Sequence, residues 1–139
     1  MGYDLKPRNK KVDWFQMGAF SWGWMINAGV GLAINTGASI EPASYSYTPD
    51  SKGRSPQSND GYYVNSKQAK LMSQIAKGLV HVESFKNKEW DNLTPEQQKQ
   101  MEDFNSRSHI YNMPIRKDFI EKTIKFAEWA EKSGGFWIH

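Results

Sequence analysis

The chain contains no cysteine, which excludes a disulfide framework, a zinc ribbon and a thiol nucleophile together. It also lacks an excess of either charge. Its 18 basic and 15 acidic residues leave a net charge of +3, too mild to imply nucleic acid by itself. No Gly-x-x-x-x-Gly-Lys phosphate loop occurs, and Gly29-Val30-Gly31 lacks the third glycine and the preceding strand of a dinucleotide fingerprint. A Gly-x-Ser-x-Gly nucleophile elbow is missing too. His81, His109 and His139 never stand four apart as a helical metal pair would, so neither a metal nor a cofactor is expected.

Aromatic residues are plentiful. Six Trp, six Tyr and seven Phe argue against disorder, because disordered chains are poor in these side chains. The 139 residues fit a single domain, long enough to bury roughly 70% of the surface of the unfolded chain. Trp14 to Ile40 carries no charged side chain, which raises the question of a membrane span. Gln16, Asn27, Asn35 and the interspersed glycines weaken that reading. Lys6, Arg8, Lys10 and Lys11 imitate the basic start of a signal peptide, but no clean small-residue cleavage site follows. The expectation is a buried core helix in a cytoplasmic protein, with a membrane or interfacial segment as the alternative.

Three short strands are expected. Gly2-Tyr3-Asp4-Leu5 alternates, Tyr62-Tyr63-Val64 follows an Asp-Gly turn, and Phe136-Trp137-Ile138 follows a glycine pair. Helical spacing predicts a helix from about Phe20 to Asn35, with Ser21 as its cap and Gly37 as its stop. Gly23, Gly29 and Gly31 inside it would each cost about 1 kcal/mol relative to Ala. A second helix starts at Asn65 or Ser66 and turns Met72, Ile75, Ala76, Leu79, Val82 and Phe85 inward. Thr94-Pro95-Glu96-Gln97 starts a third, polar helix. The fourth runs from Ile115 to Lys132. Between the first helix and the middle strand, Glu41 to Gly61 is rich in Ser and Pro, a connection of unusual length for a compact domain, of the kind that is either functional or mobile. The fold class is therefore α+β, one compact domain over residues 1–139. A small three-stranded sheet packs with three to four helices.

Gly2-Tyr3-Asp4, Ser58-Asn59-Asp60-Gly61-Tyr62 and a last helix running into Gly134-Gly135-Phe136 form an ordered trio. Together with Pro7-Arg8-Asn9-Lys10 and Gly18-Ala19-Phe20-Ser21-Trp22, this resembles a family of small bacterial and phage proteins that begin Met-Gly-Tyr-Asp. The resemblance covers both ends and the middle of the chain, and leaves out Glu41 to Gln57 and Asn87 to Met113. It supplies no activity residue by residue. It supports the single domain and singles out Asp4, Asn59, Asp60 and Gly61, and its phage side implies sequestration of a host defence signal.

Asn59-Asp60-Gly61 reads first as a turn, since Asn and Asp bond their own backbone and Gly supplies positive φ. The alternative aims Asn59 and Asp60, with Asp4 beside them, into a pocket roofed by the long loop. Arg8 and the loop's Lys52 and Arg54 would then close over a phosphate, and Tyr47 and Tyr62 would stack a base, as Tyr45 and Tyr63 could. His109 would orient the ligand. Trp14, Trp22, Trp24, Trp129 and Trp137 are expected in the core, although five indoles exceed what a core this size needs. The first functional reading is thus a non-enzymatic binding protein for an anionic, nucleotide-like ligand. A protein-interaction module, homo-oligomeric or not, is the second. A small hydrolase using Asp4, Asp60 and His109 is the third.

Overall fold

A computed structural model describes residues 2–34, 51–108 and 117–139, with the backbone alone at 104–108. The chain forms β1 (Gly2–Pro7), β2 (Phe15–Gly18), α1 (Ala19–Asn27), a 3₁₀ turn (Val30–Ala33), β3 (Tyr62–Asn65), α2 (Ser66–Asp91), α3 (Pro95–Ser108), α4 (Lys117–Ser133) and β4 (Gly135–Ile138). The strands make one antiparallel sheet in the order β2-β1-β4-β3. Start, middle and end of the chain therefore meet, as the α+β reading requires.

Alternation along each strand gives the sheet two unlike faces. Leu5, Met17, Val64, Phe136 and Ile138 point inward and join Trp22, Met25, Ile26, Met72 and Phe126 in one core. Each large apolar side chain buried there contributes about 1.5–3 kcal/mol. Phe126 sits at its centre, edge-on to Trp22 at 5.8 Å and to Phe136 at 6.1 Å. The Trp22 indole N–H is satisfied at 2.9 Å by the carbonyl of Pro56, itself buried. The Tyr3 hydroxyl donates to the next carbonyl, Gln57, at 2.6 Å. Residues 55–58 are thereby tied to the core, whereas residues 35–50 of the long connection lie outside the described residues.

The sheet has four strands where the sequence reading expects three. The additional one, β2, is a single four-residue alternation inside the uncharged run, and only its pairing with β1 identifies it. The first helix is also shorter than expected. Gly29 takes φ 142°, which no α-helix tolerates, so α1 stops at Asn27 and a 3₁₀ turn follows. The residue at its N-terminal boundary is Gly18 rather than Ser21, whose hydroxyl instead donates to the Gly18 carbonyl at 3.0 Å. The expected stop at Gly37 lies outside the described residues. No described helix is long and apolar enough to cross a membrane.

α2 begins with a reciprocal cap. Gln68 N–H donates to Asn65 Oδ1 at 2.8 Å, and Asn65 N–H donates to Gln68 Oε1 at 3.0 Å. Thr94 and Gln97 repeat the device at the start of α3. α2 packs along α4, where the buried Ser73 hydroxyl donates to the Ala127 carbonyl at 2.6 Å. With 26 residues, about 39 Å, it outruns the core. Val82 and Phe85, expected inward, are 53% and 64% exposed. Glu83 is buried instead, with the Lys86 ammonium 3.2 Å from its carboxylate.

Candidate functional site

Among the described residues no element covers the other face of the sheet, which carries the outward half of each alternation. Phe136 and Ile138 are fully buried, so Trp137 between them has to point away from the core. The register pairs Trp137 with Lys6 on β1 and with Tyr63 on β3. One residue before β2, Trp14 comes beside Lys6 from the other side. The result is a row across the sheet, Trp14–Lys6–Trp137–Tyr63. The Lys6 ammonium lies 5.8 Å from the Trp14 ring and 5.7 Å from the Trp137 ring, cation–π distance from both. Tyr63 and Trp137 sit 5.0 Å apart between ring centres. Arg8 Nη1 donates to the Tyr63 hydroxyl at 3.3 Å.

Local structure explains why these side chains converge. After β1 the chain turns through Asn9, whose Oδ1 accepts from Lys11 N–H at 3.1 Å. The same residue is anchored to the end of α4, its backbone N–H donating to the Ser133 carbonyl at 2.8 Å and its amide to Lys132 O at 3.2 Å. Arg8 N–H donates to the Gly135 carbonyl at 2.8 Å, which extends the β1–β4 pairing and aims the guanidinium along the sheet. On the other side, the Trp129 indole N–H donates to the Asp13 carbonyl at 2.7 Å, fixing the residue just before Trp14.

A second row lies beside the first. Asp4 pairs with Gln16 on one side and exchanges backbone hydrogen bonds of 2.7 and 2.9 Å with His139 on the other. The His139 ring stacks on Trp14 with 6.0 Å between centres. A side-chain carbon placed on Gly61 would meet Arg54 Nη1 at 3.5 Å and His139 Cε1 at 3.6 Å, so guanidinium and imidazole share the space over that glycine. An open cleft of about 400 Å³ continues from Asp4 and Gln16 around the β1–β2 end towards Lys122. Trp14 is 55% exposed, Lys6 and Arg8 are exposed, and Trp137 and Tyr63 are half-buried. Burial pushes the Tyr3 phenol, on the inner face, above its ordinary value.

The residues singled out from the sequence fall into four groups. Asp4, Arg8 and Arg54 belong to this face or its margin. Tyr62 points inward and packs against the core. Asn59 and Asp60 lie in a bend that leads into Gly61, whose φ is 100°, and Asp60 Oδ1 accepts the Ser58 hydroxyl at 2.8 Å. Tyr47, Tyr45 and His109 lie outside the described residues. Asp4 lies on β1 and Asp60 ahead of β3, with β4 running between those two strands. Among the described residues no three His, Asp or Glu side chains gather as a metal site would.

The sequence places Lys6 only in a basic cluster with Arg8, Lys10 and Lys11, and its aromatic content assigns Trp14 and Trp137 to the core. The signal for Trp137 was present, since a strand with Phe136 and Ile138 inward turns Trp137 out. The signal for its neighbours was not, because it needs the register. Comparison of the chain with protein-family models, with curated proteins and with solved structures found no match, so the reading of this face rests on its geometry.

Proposed function

We propose that the chain is a non-enzymatic binding module for an anionic, nucleotide-like ligand, held on the open face of the sheet. The observation that carries this reading is the Lys6 ammonium set between the rings of Trp14 and Trp137. Flat rings offer stacking surfaces to a base, and an ammonium between them offers a counter-charge to a phosphate. Arg8 and Arg54 add planar guanidinium groups at the margins, suited to phosphate oxygens. Among the described residues nothing closes over this face, and the access this leaves to water favours holding a ligand over chemistry that depends on excluding water. Such a module would act by sequestering what it binds.

The test is intrinsic tryptophan fluorescence and titration calorimetry against a panel of mononucleotides and cyclic nucleotides. Quenching with saturable binding is expected, and Lys6→Gln should weaken it by about 10-fold or more while leaving the melting temperature in place, because an exposed cation contributes little to stability. Recovery of unchanged ligand by chromatography supports holding over turnover. Absence of binding by the parent protein, or parental affinity in Lys6→Gln, overturns the reading. The interaction-module alternative draws on other residues, Phe20, Val82 and Phe85, large side chains exposed at 85%, 53% and 64%. Light scattering over a concentration series tests it as self-association.

A further inference from the structure

We infer that the natural occupant of the open face is a single-stranded nucleic acid rather than a mononucleotide. This rests on the binding reading above and names its ligand class. The row Trp14–Lys6–Trp137–Tyr63 runs from the residue before β2 across β1, β4 and β3, a span of about 14 Å at the usual strand spacing. One base covers one ring. A mononucleotide stacked on Trp14 would leave Trp137 and Tyr63 unused, and one on Trp137 would leave Trp14 and its stacked partner His139 unused.

The cations follow the same line. Lys6 lies inside the row, Arg8 reaches its far end at the Tyr63 hydroxyl, and Arg54 borders it over Gly61. Lys10 and Lys11 are exposed in the turn beyond β1. A flexible strand with splayed bases presents alternating rings and phosphates to such a surface, whereas a duplex keeps its base faces stacked inside. Asp4 borders the same face and offsets part of the positive charge. Ring stacking therefore carries more of the affinity than charge does, and the salt dependence is shallow.

The experiment uses the full chain and fluorescein-labelled homopolymer strands of roughly eight nucleotides, a length within the known range of single-strand surfaces. Deoxy and ribo strands form separate arms, with the matching mononucleotides and the duplex as competitors. Anisotropy should show at least one strand chemistry binding about 10-fold or more tighter than its mononucleotide, with the duplex competing poorly. Trp14→Ala and Trp137→Ala should each weaken strand binding by about 5- to 150-fold, the range for losing one stacked base. The slope of log affinity against log salt should be modest, and Lys6→Gln should reduce it by about 0.7, one single-strand phosphate.

Should Trp137→Ala fail to fold, Trp14→Ala carries the test from its exposed position. Mononucleotides that bind with Lys6-dependent quenching while strands bind no tighter would overturn this inference and leave the binding module standing. No binding by either would overturn both. Strand binding indifferent to both tryptophan variants would also overturn it.

Discussion

Gly135 opens β4 at φ 101°, and Gly61 precedes β3 at φ 100°. Replacing either by Ala forces an L-residue into nearly the same unfavourable backbone region, so the two changes share a strain of about 1–3 kcal/mol. Their surroundings differ. A Cβ on Gly61 meets its nearest atom, Arg54 Nη1, at 3.5 Å, an ordinary contact with the end of a flexible side chain. A Cβ on Gly135 falls 2.8 Å from the Val64 carbonyl oxygen and 3.1 Å from Ser66 N. Both are backbone atoms where β3 passes into α2, and neither can retreat without disturbing the β3–β4 pairing or the Asn65 cap. Losing even one or two of those hydrogen bonds adds about 0.5–1.5 kcal/mol each. Gly61→Ala should therefore cost about 1–3 kcal/mol, and Gly135→Ala about 0.5–3 kcal/mol more than that. Urea unfolding of the two variants beside the parent measures both, provided the slopes stay equal. Equal costs for the two substitutions would refute the reasoning, because the close approach at Gly135 would then carry no energy of its own.

Trp22→Phe keeps most of the buried ring but leaves the buried Pro56 carbonyl without its 2.9 Å donor. A loss of about 1–3 kcal/mol is expected in denaturant unfolding, together with faster amide exchange in residues 55–58. A parental exchange pattern would show that something other than the indole holds that segment. Tyr3 supplies a pH test. Its phenol is raised by burial, so the neutral hydroxyl is favoured by folding, and the associated stability is present below the ordinary tyrosine value and lost as pH climbs above about 10. Tyr3→Phe should lower stability near neutrality through loss of the 2.6 Å bond to Gln57 and show a gentler alkaline decline than the parent. Parallel alkaline melting curves for the two proteins would contradict that assignment.

What could be read before folding follows from how local each signal is. Gly2 to Leu5, Tyr62 to Val64 and Phe136 to Ile138 alternate within themselves, and the Asn65 and Thr94 caps need only three neighbours, so all of these were legible. β2 was not, because Phe15-Gln16-Met17 becomes a strand only when β1 lies beside it. Val82 and Phe85 keep helical spacing, yet spacing carries no information about where the core ends. The candidate site shows the same division. The sequence reading looked to the Ser/Pro-rich connection, where unusual composition draws the eye. The row on the outer face is assembled instead from residues 6, 14, 63 and 137, ordinary one by one and adjacent only through a register that sequence does not display.

The strand order has a kinetic side. β1 and β3 are not neighbours in the sheet, and β4 is the piece that joins them, pairing Leu5 with Ile138 on one edge and Val64 with Phe136 on the other. Until β4 docks, β1 and β3 each have an open edge towards the gap. Closing that gap requires the most sequence-distant contacts in the fold, the kind that slow folding and are made late. The row of rings on the outer face is completed in the same event, since Trp137 arrives with β4. A chain caught before that step would hold its helices and still present no platform at all.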